Sequence, residues 1–579
     1  SRLLAERPED VPGLYRRACE WFEHAGDIEA AVRHAFAAGD LDHAADLVEV
    51  ATPHLRRRRA EGTLRSWVAQ VPPEVLSRRP VLASHLIAAL MASNVYEGVE
   101  DRLVALEATL SGPAEELVIR DEDEWQRLPA VVATHRAGLA LVAGNVDAAV
   151  AYANTALSGA APTDLLTVAA ASALKGLASW SVGDLASAHA SYVVATDSLA
   201  AAGHISDALA CTVTVVDLRL QQGELDAAHH AARYALDLAG TSTSASGDGR
   251  QATVRGIADM WLALGRVAWE QGEVATTEEH LNHASELGER AGLPQQPYRW
   301  RVAMAKLLEA RGNSSAADAL LVEAERLFNS DFSPNVRPVP AVRARLHIRT
   351  GDLTAARRWA GIAGVAADDE LSYMREFEHV TLARLLLAEH TVTGDQACLE
   401  EATALLQRLH DAAALGTRTA TLVETRLLLA LASDQAGRAG DGLNWLQQAV
   451  VVAQPQAWLR PFLDEGPRMS ELLTLLPDDA ARFGRAVQAA AGSAAPPARV
   501  PKAAEPCPPT EVPIALVVPL SGRELDVLRL LGSDLDGPAI ARHLNVSLPT
   551  VRTHTQHIYA KLGVNSRRAA VRRGHQLNL

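Results

Sequence analysis

Residues 183–192 read GDLASAHASY, and 39 positions earlier residues 144–153 read GNVDAAVAYA. Both begin with glycine, follow it with a short polar side chain, and run on into an alanine-rich apolar stretch. The signature returns as GDIEAAVRHA (26–35), GDLDHAADLV (39–48), GELDAAHHAARYAL (223–236) and GEVATTEEHL (272–281). Further copies are GNSSAADALL (312–321), GDLTAARRWA (351–360) and GRAGDGLNWLQQAV (437–450). From Gly144 the starts are 39, 40, 49, 40 and 39 residues apart. Periods of this size signal stacked helix pairs. A glycine just past a helix end takes the left-handed conformation, the Asp, Asn or Glu after it starts the next helix, and alanine lets the two helices approach closely. Neither helix buries its apolar face alone, so neighbouring pairs stack into a superhelix.

This pattern resembles the tetratricopeptide class, with a period nearer 40 residues than 34. The long interval contains GTSTSASGDGR (240–250), which reads as an enlarged loop. Proline-bearing stretches, QVPPEVLSRRP (70–80) and GLPQQPYRW (292–300 with its flank), read as turns between pairs. The ten tryptophans read as packing between helices, and a concave groove for a ligand follows from the architecture. At 579 residues the chain is too long for one core. Its 48% hydrophobic but only 4% aromatic composition favours close-packed helices over β-sandwiches. The four cysteines, Cys19, Cys211, Cys398 and Cys507, form no C-x-x-C pair, so neither a disulfide framework nor a zinc site is expected. With no long apolar run and no signal-like N-terminus, the expectation is a soluble cytoplasmic protein without a membrane partner.

Charge singles out the other end. The chain totals −15, yet residues 520–579 hold nine Lys+Arg against four acids, a net +5 that leaves −20 for the rest. After Asp536 no Asp or Glu appears in the last 43 residues. A small basic module on an acidic body points to a polyanion. Residues 491–519, AGSAAPPARVPKAAEPCPPTEVPIALVVP, carry eight prolines and read as a semi-extended linker. Beyond it, Ser521 and Glu524 form a capping box opening a first helix with Leu525, Val527, Leu528 and Leu531 as its apolar positions. Pro538 starts a second, Asn545-Val546 makes a turn, and Ser547 caps a third over 548–562. Gly563 ends it and Ser566 caps a fourth.

Two helices joined by so short a turn make a helix-turn-helix, here about residues 537–556, whose second member enters the DNA major groove. Val551, Thr555, Ile558 and Leu562 fall at i, i+4, i+7 and i+11 and form the buried stripe. Arg552, Thr553 and Gln556 share another face. Arginine pairs with guanine, glutamine with adenine, and the threonine methyl meets that of thymine, so these three are the candidate base readers. Ser547, Thr550, His554 and Lys561 suit phosphates. A carboxylate on this surface would face a phosphate charge every ~1.7 Å of duplex.

The motifs L-S-x-R-E-L-x-V-L, G-P-x-I-A-R-x-L-x-V-S and T-V-R-T-H-T-x-x-I-Y-x-K-L-G-V-x-S-R-R-x-A span residues 520–579 and resemble the LuxR-type four-helix DNA-binding domain. The resemblance implies base reading by Arg552, Thr553 and Gln556, and a dimer contact on the last helix through Arg567, Arg568 and Val571. Pro549 departs from the commoner Asn and puts one backbone phosphate contact in question. LYRRACEWFEHAGDIEAAVRHAFAAGDLDHAADLVE (14–49 with its flank) and WLRPFLDEGPRMSELL (458–473) are similar to the large ATP-binding, maltose-operon-activator-like LuxR-type regulators. In those proteins an NTPase domain precedes the solenoid, and inducer plus ATP drive self-association. None of the four lysines, Lys175, Lys306, Lys502 and Lys561, completes a G-x-x-x-x-G-K-[S/T] loop here. ATP therefore belongs to a missing N-terminal domain or another polypeptide, and no cofactor, metal site or catalytic residue is expected in this chain.

The expected architecture is all-α: a helical connector and solenoid start (1–100), a tetratricopeptide-like solenoid (101–490), the linker (491–519) and a LuxR-type helix-turn-helix domain (520–579). The expected function is a sequence-specific transcription activator taking a small-molecule inducer or protein effector on the solenoid. Its partners would be double-stranded promoter DNA, bound as a dimer or higher oligomer, and RNA polymerase. The alternative is a repeat scaffold whose C-terminal domain docks protein. Lesser motifs read as structural: His280 with His283, the acids Asp121, Asp123 and Glu124, and the basic HLRRRRAEG (54–62), taken as an ion-paired contact.

Overall fold

The computed structural model describes residues 10–57, 60–113, 117–245, 254–328, 333–493, 522–531 and 558. The chain divides into two compact units, Ser1–Pro496 and Pro497–Leu579. Every regular element among the described residues is a helix, and none of these helices is long and apolar enough to cross a membrane.

In the first unit the repeat glycines take the backbone that their role demands. Gly26, Gly39, Gly144, Gly183, Gly223, Gly272, Gly312, Gly351 and Gly437 have φ between +73° and +84°, a region costly for side chains with a Cβ. In most copies the following residue then caps the next helix, though Arg438 after Gly437 makes no side-chain cap. Asp27 accepts from the Ala30 N–H (3.0 Å), Asn145 from Ala148 (3.1 Å), Asp184 from Ser187 (3.0 Å) and Asp352 from Ala355 (3.0 Å). Glu273 starts its helix without such a bond, since its extra methylene carries the carboxylate past the free amides. One further copy breaks the alanine-rich pattern and is hidden in the sequence. Gly394 has φ +72°, and Asp395 caps Gln396–Leu415, filling the gap between Gly351 and Gly437.

The helix after each glycine packs through a stripe of small residues. Ala149, Ala153 and Ala156 are fully buried at i, i+4 and i+7, and so are Ala228, Ala232 and, nearly, Ala235. The Gly/Ser/Thr stretch is not wholly a loop: Leu225–Ala245 stays helical through GTSTSA. Buried Ala239 anchors that turn and the Thr241 hydroxyl donates back to the Leu238 carbonyl (2.9 Å), which offsets the ~1 kcal/mol penalty of Gly240.

The helices preceding the glycines form an inner wall: Leu165–Ser181, Ile205–Gln221, Ile257–Glu270, Gln296–Ala310, Val339–Thr350, Glu376–Thr393 and Thr419–Gln435. The wall closes on itself. Val216, Leu225, Ala263 and Val267 share one core with Phe462, Met469, Leu473, Phe483 and Val487. Polar contacts seal the seam: the Asp226 N–H donates to Gln456 Oε1 (3.1 Å) and Trp458 Nε1–H to Glu270 (2.8 Å). Across the opening, Trp180 Nε1–H donates to the Tyr373 hydroxyl (2.9 Å), which donates to Gln221 Oε1 (2.5 Å). What the repeat pattern presents as a concave groove is, in residues 165–487, a ring of helices around a cavity.

In the second unit, Gly522–Leu531 is helical with Val527, Leu528 and Leu531 buried, and Ile558 is helical and fully buried. These are apolar positions that the helix periodicity marks.

Candidate functional site

The DNA-facing residues read from the sequence, Arg552, Thr553, Gln556, Ser547, Thr550, His554 and Lys561, lie outside the described residues, as do Arg567, Arg568 and Val571. Ile558, which the sequence places in the buried stripe, is buried.

The described site is the cavity inside the ring, about 280 Å³, at the lower end of the range for small-molecule sites. The repeat register builds it. Two or three residues before successive repeat glycines stand Trp180, Gln221, Trp269, Glu270, Glu309 and Arg349. One helical turn earlier, six residues before the glycine, four consecutive inner helices present Asp217, Arg266, Lys306 and Arg345. A charged rung at the same height on neighbouring inner helices is costly to bury, so its members pair where they can.

Most do. Arg266 is bonded to Asp217, Arg349 to Glu309 (2.5 and 2.7 Å) and Arg460 to Asp464 (2.6 Å). Arg345 donates to Glu424 (2.6 Å) and to the Thr381 hydroxyl (2.8 Å). Arg384 bridges Glu424 (2.8 Å) and Glu465 (2.6 Å). Burial alone would raise the Glu424 carboxyl, but Arg345 and Arg384 outweigh it and hold Glu424 at about 2. Arg345 also stacks 3.6 Å from the centre of the Phe377 ring, and Arg460 3.7 Å from that of Trp269. Glu270 is engaged by Trp458, and Arg299 lies 3.9 Å from Asp259. Two cations in the lining, Lys306 and Arg337, have no carboxylate partner within 4.0 Å among the described residues. Burial, with Arg337 and Arg266 nearby, pulls the Lys306 ammonium down to about 8 against the opposing pull of Glu270 and Asp464.

Trp67, Trp359, Trp180, Trp269 and Trp458 all pack in hydrophobic cores, and the last three also line the cavity. Composition and periodicity pass over these residues because each belongs to a different repeat; only aligning the repeats on their glycines reveals the rungs. The smaller motifs resolve locally. His280 and His283 pack on Trp261, with ring centres at 5.3 and 4.4 Å. Asp121 caps Glu122–Val142, and Glu124 is half-buried and bonded to His85 (2.9 Å) rather than a solvated surface acid. Cys19, Glu23 and His43 place ligand atoms within 4.8 Å of one another, but burial and adjacent carboxylates push the Cys19 thiol up, against the thiolate a metal needs.

A family model described as MalT-like TPR region matches residues 130–479, and one described as bacterial regulatory proteins, luxR family, matches 518–573. The chain thus joins a repeat body to a domain of bacterial transcription regulators, neither of them a catalytic family. It is similar to the HTH-type transcriptional regulator MalT of Serratia proteamaculans (strain 568), at 24% identity over 607 residues. The alignment covers 98% of this chain and 62% of that protein, so the chain spans a little under two thirds of the relative's length. Among solved structures, a Rap protein complexed with Competence and Sporulation Factor aligns with a TM-score of 0.44 at 13% identity, over 65% of this chain and 98% of that one. The apo form of RapI aligns with a TM-score of 0.39 at 11% identity, over 65% and 97%. With its repeat region matched over well more than half its length, the chain belongs to the family of proteins carrying a MalT-like TPR region.

Proposed function

We propose that this chain is the sensing and DNA-binding part of a transcription activator. The observation that carries the reading is the luxR-family match at residues 518–573, coinciding with the stretch from which acids vanish after Asp536. Arg552, Thr553 and Gln556 read bases; Ser547, Thr550, His554 and Lys561 hold phosphates; Arg567, Arg568 and Val571 join two copies on promoter DNA, where the assembly meets RNA polymerase. The ring cavity takes the effector, a small molecule, because it is concave, lined by aromatic and charged groups, and spans the repeats. Ligand held between inner helices from several repeats stabilises one curvature of the ring, and differential affinity for that state is the input. The proline-rich linker (491–519) tethers the DNA-binding domain to this sensor. The chain carries no catalytic role of its own; nucleotide chemistry belongs to a separate segment or polypeptide, and the setting is the cytoplasm.

Genome-wide immunoprecipitation of the chain, with and without residues 520–579, tests the reading. The full chain is expected to enrich promoter fragments sharing one motif with regularly spaced half-sites, and the shortened chain to enrich none. Equal enrichment by both would favour a scaffold recruited through its repeats.

A further inference from the structure

We propose that the ring cavity is a receptor for a small organic anion, a ring-bearing phosphate or carboxylate, whose charge is held between Lys306 and Arg337. This rests on the reading of the cavity as the effector site and adds the chemical class of the effector.

Charge balance is the first support. Among the described residues, eight cationic side chains line the cavity against five acidic ones, in a body whose residues 1–519 sum to −20. Counting Asp259 and Glu465, which pair with lining arginines from behind, the cations still lead by eight to seven. A cationic enclosure inside an acidic body selects anions, because low-dielectric walls concentrate its field and the outer surface repels what the interior attracts.

The second support is that the surplus is localised. Among the described residues, every lining arginine except Arg337 faces a carboxylate, and the lining acids are already engaged by those arginines or by Trp458. Lys306, on the charged rung of Gln296–Ala310, is half-buried and bonded to none of the acids near it among the described residues. Glu270 and Asp464 face it from neighbouring elements, as do the cations Arg266 and Arg337. Arg337 stands exposed just before Val339–Thr350, its guanidinium 5.9 Å from the Phe377 ring centre. Partial burial without a carboxylate partner among the described residues is costly for Lys306, and an oxyanion bound between it and the exposed Arg337 gains charge-assisted bonds to both. Third, Trp180, Trp269 and Tyr298 add apolar wall to the lining, which a bare inorganic ion would leave unused.

Intrinsic tryptophan fluorescence reports on the site, since Trp180, Trp269 and Trp458 line it. Matched pairs are titrated into the full chain: glucose and glucose 6-phosphate, ribose and ribose 5-phosphate, benzamide and benzoate, with inorganic phosphate alongside. Within at least one pair the anion is expected to bind and its neutral partner not, and the pair that responds says whether phosphate or carboxylate is the source. Lys306→Met and Arg337→Gln are each expected to weaken that binding about tenfold or more, and Lys306→Arg to retain it, with thermal unfolding confirming that each variant is folded. Neutral members binding as tightly as anions, folded variants binding as the unsubstituted chain does, or no response from any probe would overturn the assignment. The neutral-binding outcome would leave the cavity an effector site and remove only the anion. Anion binding that leaves DNA affinity unchanged would keep the receptor and remove its role as the input.

Discussion

Glu49 is buried at 5% exposure in Leu41–Arg57, and both its carboxylate oxygens lack a hydrogen-bond partner. Burial pushes its carboxyl up to about 7, with Arg79 opposing and Asp46 adding to the shift. An unfolded glutamate titrates near ~4.3, so between about pH 4.3 and 7 the folded chain holds a proton that the unfolded chain has lost. Stability therefore falls as pH rises through that window and levels off above it. Glu49→Gln should flatten the dependence and stabilise the first unit by up to about 3 kcal/mol at pH 8, with little change near pH 4, in denaturant titrations at the two pH values. The repeat glycines offer a second contrast. Gly183 and Gly312 share left-handed backbone (φ +84° and +76°), but a Cβ at Gly183 would lie 2.8 Å from the Tyr373 ring while one at Gly312 meets nothing within 4 Å. Gly312→Ala should cost about 1–2 kcal/mol from backbone strain alone, and Gly183→Ala about 1–3 kcal/mol more, read from paired urea midpoints.

At the level of single helices most of the structure was readable, because what starts and stops a helix is local. Gly-Asp and Gly-Asn in sequence became a left-handed turn followed by a capped helix at Asp27, Asn145, Asp184 and Asp352. Reading failed where a nonlocal contact decided the outcome. The helix through GTSTSA survives because Ala239 is anchored in a core with Met260. The Gly394 copy was missed because Leu399 and Leu406 stand five and twelve residues after its glycine, where the Gly144 copy has Ala149 and Ala156. In the DNA-binding module, a side chain's place on the helix predicts two distinct losses. Arg552→Ala should cost about 1–3 kcal/mol and relax preference at one base position. Lys561→Ala should weaken all duplexes alike and reduce the salt slope by about one, both measured by competition gel shift.

Over the whole first unit, closure is what the repeats do not announce. Small rotations between pairs add up over residues 165–487 until Trp458 and Phe462 meet helices formed some two hundred residues earlier, and no local pattern encodes that sum. The cavity was hidden for the same reason, since its wall draws on seven inner helices; the rung Asp217, Arg266, Lys306 and Arg345 was legible only after aligning the repeats. The seam is testable through Trp458, which is 4% exposed and bonded to Glu270. Trp458→Ala should remove about 3–5 kcal/mol from the contact and open the ring before the repeats themselves unfold. It should appear as faster proteolysis within 454–493 and a separate early step in urea, where the unsubstituted unit shows one.

The account as a whole depends on the chain choosing among DNA sequences through its last 60 residues. The direct test is fluorescence anisotropy of the full chain on its best selected duplex and on a scrambled duplex of equal length, across a series of salt concentrations. The predicted result is a preference on the order of a thousandfold or more for the selected duplex, with log affinity falling linearly against log salt on both. Equal affinity for the two duplexes, or no binding to either at low salt, would contradict it.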